Sequence, residues 1–108
     1  MLFERGELIL LAFPFSSETG GKQRPALVLL DANDQDLLVA RVTTQTHRSP
    51  FDIVIQDWNG AGLLAPSIVR LHKLATVEKR LVRRRLDRLA EPDWSAVRTV
   101  VLQVFGKI

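Results

Sequence analysis

Apolar residues fall in short alternating or continuous runs over the first two-thirds of the chain and take up helical spacing only near its end. ELILLAF (7–13) is apolar and bounded by Gly6 and Pro14, which predicts a strand. SSETGGKQ (16–23) is turn chemistry, small polar residues followed by two glycines that tolerate positive φ. PALVLLD (25–31) is nearly continuous in apolar residues, as in a strand buried on both faces. DANDQ (31–35) reads as a turn and DLLVARVTT (36–44) as a third strand. FDIVIQ (51–56) alternates as a fourth, with Phe51, Ile53 and Ile55 on one face. Beyond the DWNGAG loop, PSIVRLHKL (66–74) alternates again: Ile68, Arg70 and His72 share one face, and Val69, Leu71 and Lys73 the other.

The stretch KRLVRRRLDRL (79–89) reads equally as a basic amphipathic helix or as an edge strand shielded by arginine. After it, Pro92 suits a first helical position. Trp94, Val97, Val101, Val104 and Phe105 recur at helical spacing until Gly106 stops the run. Trp94 and Val97 belong either to the core or to a subunit interface, with core favoured. The pattern as a whole predicts one domain over 1–108, mostly β, with five or six short strands and a C-terminal helix on the sheet. A small barrel-like α+β domain satisfies it.

Length and composition agree with one ordinary core, since 108 residues with 46% hydrophobic content need no staples. The absence of cysteine excludes thiol nucleophiles, iron–sulfur clusters and cysteine zinc sites. With two histidines, His47 and His72, a three-histidine metal centre is also excluded, so no cofactor is expected. The N-terminus carries Glu4, Arg5 and Glu7 and its apolar run is cut at Pro14. It therefore predicts neither a signal peptide nor a membrane span, and a cytoplasmic protein with no membrane partner is expected.

Charge is uneven. Between Arg70 and Arg88 stand eight basic and two acidic residues, a local net charge of +6 within a chain whose total is +3. A basic segment on a mildly acidic body suits an anionic partner. Within this frame several residues stand out. Arg24 follows a glycine-containing loop and precedes Pro25 at the threshold of a strand, where it either grips a substrate or makes an ordinary surface ion pair. Thr43, Thr44 and Gln45, with His47 and Arg48, form a polar strand end that can bind phosphate oxygens or base edges, or simply cap itself. Arg70 and His72 are two apart on one strand face. A cation beside a group that exchanges a proton near neutral pH suits phosphodiester chemistry, and equally suits the wet face of a half-exposed sheet.

Three blocks together resemble the PemK/MazF family of toxins from toxin–antitoxin modules: RGELILLAFPF (5–15) leading through GGKQRPALVLL (20–30), then VTTQ (42–45), then GLLAPSIVR (62–70) with LATVEKR (74–80). The resemblance implies a compact SH3-like β-barrel of the CcdB/MazF kind with a C-terminal helix, usually a homodimer. It also implies a metal-independent, sequence-selective endoribonuclease that cleaves single-stranded RNA to a 2′,3′-cyclic phosphate and a 5′-hydroxyl, and a small acidic antitoxin that inhibits it. Carried over by position, the family's loop arginine is Arg24, its strand-end threonine Thr43, and an arginine used by some members Arg70. Lys22, Gln23, Thr44, Gln45 and Arg48 are then expected to contact substrate.

This chain departs from the family at His72, where an acidic residue is common. Arginine is always protonated and serves as an electrostatic clamp rather than a base. His72 is therefore the candidate base or acid. Two other readings compete: a non-enzymatic toxin on the same fold that binds DNA gyrase through C-terminal surface residues, and an SH3-like module that binds nucleic acid or protein without turnover.

Overall fold

The structure is a computed structural model and describes residues 2–12 and 23–108. Six strands follow one another: β1 (Glu7–Ala12), β2 (Gln23–Asp31), β3 (Asp36–Thr43), β4 (Asp52–Val54), β5 (Ile68–Glu78) and β6 (Val82–Arg88). A single 3-10 turn, Lys79–Leu81, joins β5 to β6, and helix α1 (Glu91–Gly106) ends the chain. The strands form one antiparallel sheet in the order β4-β5-β3-β2-β1-β6. Its ends are β4 and β6, so the hydrogen-bonded order is that of an open sheet.

Alternation along the central strands sends neighbouring residues to two separate apolar clusters. Leu8, Leu27, Ala40, Val42, Val69 and Leu71 pack with Val97 and Val100 of α1. Ile9, Leu11, Ala26, Val28, Val39 and Val77 fill the opposite face, closed by Phe3 and Leu81. The expected two-sided burial of the second strand holds for Ala26, Leu27 and Val28, all at most 1% exposed, but Leu30 is 54% exposed near its end. Val97 is fully buried and Trp94 packs on the same cluster, so both belong to the core.

Gly6 lies where the helix docks. Its φ is +88°, and a Cβ there would stand 3.4 Å from the Trp94 ring. Glycine supplies the left-handed backbone, while a Cβ would meet the ring only at ordinary van der Waals distance.

Residues 79–89, read equally as helix or edge strand, resolve as the strand, and three other elements differ from the sequence reading. Residues 79–89 contain no α-helix; the turn at Lys79–Leu81 leads into an edge strand on β1. Local spacing could not decide this, because the outer edge of β1 needs a backbone partner and β6 supplies it. The fourth strand spans only Asp52–Val54 rather than 51–56. After it, the N–H groups of Gln56 and Asp57 donate to the buried Asp93 carboxylate at 3.0 and 2.9 Å, drawing the chain off the ladder toward α1. The strand expected at 66–74 runs from Ile68 to Glu78. Thr44, expected in the third strand, lies just past its end at Thr43. Phe13 and most of the 16–23 turn fall outside the described residues, while Gln23 already belongs to β2. Among the described residues, no helix is long and apolar enough to cross a membrane.

Candidate active site

Arg70 sits where three strands meet. Its Cα pairs with Arg41 of β3 on one side and with Asp52 of β4 on the other. Its Nε donates to Asp52 Oδ1 at 2.9 Å, with the Asp52 side chain 3% exposed and that of Arg70 15%. The second Asp52 oxygen accepts the Ser49 hydroxyl at 2.7 Å, and Ser49 Oγ accepts the Phe51 N–H at 3.1 Å. Burial alone raises the Asp52 pKa. The hydrogen bonds from Ser49 and Arg70, with the positive charge nearby, outweigh burial and hold it below the usual carboxylate value. Arg70 is thus clamped by a carboxylate that stays ionised.

A bulge in β5 arranges the next residues. Ala40 pairs with Leu74, but Arg41 pairs with Arg70, so Leu71, His72 and Lys73 have no counterparts on β3. The Leu71 N–H turns instead to the Phe51 carbonyl at 2.9 Å. Val69 and Leu71 are buried as alternation requires, but His72 and Lys73 are both exposed, so the two-face pattern breaks there. His72 is brought back over Arg70: its Nε2 lies 3.3 Å from the outer guanidinium nitrogen. A guanidinium only donates, so a hydrogen bond in this contact has Nε2 as its acceptor. The other side of His72 meets Phe51, with ring centroids 5.5 Å apart and planes tilted by 49°.

Arg24 is exposed in the first turn of residues of β2, paired with Leu11 of β1. The β2–β3 ladder begins at Ala26 and Arg41. Continued past Pro25, which has no N–H to donate, the same register brings Arg24 level with Thr43. Thr43 is the last residue of β3, pairs with Ile68, and its Oγ1 accepts the Gln45 N–H at 3.1 Å. Cross-strand partners share a face. Arg24 and Thr43 therefore form one row, and Arg41, Arg70 and Asp52 the next.

The remaining sequence candidates are spread more widely. Gln23 is exposed opposite Ala12. Thr44, Gln45 and Arg48 are exposed on the segment from β3 to Ser49, and His47 is half-buried there. Lys22 lies outside the described residues. Asp52, Ser49 and Phe51 were not among the sequence candidates. The spacing of Ser49 and Asp52 suits a hydroxyl-capped turn, but only the β4–β5 register ties Asp52 to Arg70.

The basic segment is largely engaged within the chain. Lys79 pairs with Asp31 at 2.9 Å, Arg80 with Glu78 at 3.0 Å and Arg88 with Glu4 at 2.9 Å. Arg85 bridges the buried Glu7 and covers the Phe3 ring, with its guanidinium carbon 4.4 Å from the centroid. Burial raises the Glu7 pKa, but the Arg85 hydrogen bond and neighbouring charges bring it below the ordinary value. Arg83 donates to the Arg80 carbonyl at 2.7 Å. Much of the local +6 therefore organises β6 and the N-terminal segment.

The protein is thus an open antiparallel sheet with one C-terminal helix, and Arg24, Arg41 and Arg70 stand on one face of it. Residues 4–105 match the family described as PemK-like, MazF-like toxin of type II toxin–antitoxin system, and the chain belongs to that family. Among solved structures it is similar to a MazE–MazF complex from Deinococcus radiodurans, at 23% identity and TM-score 0.77, covering 98% of this chain and 97% of that one. A mycobacterial endoribonuclease in complex with its cognate antitoxin matches at 14% identity and TM-score 0.77, over 94% and 93% of the two chains. A MazF toxin of Mycobacterium tuberculosis matches at 18% and TM-score 0.75, over 93% and 96%. No curated protein matches at the sequence level.

Proposed function

We propose that this toxin is an endoribonuclease that cuts single-stranded RNA without a metal, using Arg24, Thr43, Arg70 and His72. The observation that carries the reading is the Arg70–His72 contact: a cation held by Asp52, 3.3 Å from an imidazole nitrogen. In the proposed reaction the ribose 2′-oxygen forms a bond to phosphorus as the bond to the 5′-oxygen breaks. The 2′-hydroxyl proton passes to a base and the leaving oxygen takes a proton from an acid. His72 serves one of these roles. Arg70 and Arg24 stabilise charge on the non-bridging oxygens, and Thr43 donates to one of them. Gln23, Thr44, Gln45 and Arg48 contact the RNA in this reading, together with Lys22, which lies outside the described residues. Within the same reading the protein is a cytoplasmic homodimer of SH3-like subunits, and a small acidic antitoxin covers the site. The solved mycobacterial and Deinococcus relatives, held with antitoxin, support that partnership.

The test is incubation of the purified protein with RNA oligonucleotides in excess EDTA, beside Arg24→Ala, with the product ends mapped. Cyclic-phosphate and 5′-hydroxyl ends that vanish in the variant are the expected result; intact RNA at high protein concentration overturns it. One observation favours a second reading, a toxin that binds a protein target such as gyrase. The end of α1 exposes Leu102 at 63% and Phe105 at 49%, with Ile108 beyond it at 95%. Intact RNA together with gyrase inhibition is the outcome that selects it.

A further inference from the structure

Arg41 was not among the sequence candidates; the sheet brings it beside Arg70. It is the one exposed residue of β3, between the buried Ala40 and Val42. β3 is an inner strand flanked by β2 and β5, so this charge does not guard an open edge as those of β6 do. On one side Arg41 pairs with the buried Ala26, and on the other with Arg70.

Two arginines are therefore direct cross-strand partners. Such partners share a face with Cα atoms about 4.5–5.5 Å apart, and like charges placed this way destabilise a sheet. Val42 and Val69, the next pair along the ladder, both enter the core beneath α1. Alternation then puts Arg41 and Arg70 on the opposite face, in the row next to Arg24 and Thr43.

The two cations differ in what they hold. Arg70 gives Nε to Asp52 and one outer nitrogen to His72, and among the described residues its third nitrogen has no partner. The Arg41 guanidinium has neither an ion pair nor a hydrogen bond among the described residues. Asp52 thus compensates one charge of the pair and leaves the other. An anion seated between the two guanidinium groups removes the repulsion and gains charge-assisted hydrogen bonds. The planar forks of two arginines suit the oxygens of a phosphate.

We propose that Arg41 is a phosphate-binding residue of this toxin, with one phosphate group of the RNA lying between Arg41 and Arg70. The inference rests on the nuclease reading and adds to it a residue that the reading does not use. Arg41 then costs the free protein stability and strengthens the complex. Removing its charge moves stability and RNA affinity in opposite directions.

The experiment measures binding of a 2′-O-methyl RNA oligonucleotide across a salt series, beside cleavage of the unmodified RNA and thermal melts. The methylated RNA lacks the attacking hydroxyl and stays intact. The variants are Arg41→Gln, Arg41→Lys and Arg98→Gln. Arg98 is exposed on α1, on the other side of the sheet, and reports the loss of one positive charge alone. Arg41→Gln is expected to weaken binding ~10-fold, the order of one charge-assisted hydrogen bond. Its salt slope is expected to fall by about 0.7, the value for one single-strand phosphate. Its melting midpoint at low salt is expected about 1–4 °C above that of wild type. Arg41→Lys keeps the slope, and Arg98→Gln binds as wild type does. Arg41→Gln that binds like Arg98→Gln overturns the proposal. So does an affinity loss accompanied by a lower melting midpoint, which makes Arg41 structural. Wild type that binds without cutting removes the nuclease reading, and the same slope comparison still decides Arg41. Wild type that binds no RNA overturns both.

Discussion

Arg70 on β5 and Asp52 on β4 stand directly opposite each other and join Nε to Oδ1 at 2.9 Å, with the carboxylate almost wholly buried. Of the two remaining guanidinium nitrogens, the one the structure brings to His72 lies 3.3 Å from its Nε2. The carboxylate thereby sets where the cation points, and the cation sets where the imidazole lone pair points.

Asp52→Ala removes the anchor and leaves Arg70 and the Ser49 hydroxyl without their shared acceptor. Loss of a buried hydrogen-bonded partner costs about 1–3 kcal/mol, which urea denaturation will read as a lower midpoint. RNA cleavage is expected to fall mainly in kcat, since Arg70 remains but its orientation is lost. An unchanged kcat with a raised KM would place Arg70 in binding alone.

His72→Gln keeps a hydrogen-bonding side chain and removes the exchangeable proton. A general acid or base contributes about 10²–10⁴-fold, so the rate is expected to drop by that order. The wild-type pH–rate profile should carry an inflection that the profile of the variant lacks. A variant that keeps both the rate and the inflection excludes His72 from proton transfer.

Arg24→Ala is expected to reduce cleavage by ~10²–10³-fold, the loss typical of one transition-state donor. Because Arg24 is exposed, thermal stability should stay within about 0.5 kcal/mol of wild type. Conversion to Lys restores charge without the planar fork and should recover only part of the rate.

Acid sensitivity should centre on Asp31. Hydrogen bonds from the Phe3 N–H and from Lys79 hold its pKa down to about 2, from an ordinary 3.8. A depressed carboxylate stabilises the fold fully above its unfolded pKa, and that contribution disappears as pH falls toward the folded value. Glu7, lowered through Arg85, acts with the same sign. Stability is therefore expected to decline from about pH 4 downward, and Asp31→Asn to flatten that decline in melts followed by circular dichroism. An equally steep acid decline in the variant would assign it to other carboxylates.

Several parts of this architecture were legible from local patterns. Strand positions 25–31 and 36–44, the alternation from Ile68 to Leu71 and the helix after Pro92 all express periods that a few neighbouring residues suffice to define. Arg24, Thr43, Arg70 and His72 stood out as candidates from residue type and strand position, which are properties of the chain itself, and from the family resemblance. The partners of these residues were not. Asp52 is 18 positions from Arg70, and Glu7 is 78 from Arg85.

By itself, the sequence determined where side chains alternate, where the backbone turns and where the helix lies, since burial periodicity and glycine or proline geometry act within a few residues. Tertiary structure decided that Val82–Arg88 lies along β1 as an edge strand, that β4 stops at Val54, and that β5 bulges at Leu71–Lys73. Each is a question of which backbone groups find partners across the sheet. Register sets those pairings, and it is fixed between segments far apart in the chain.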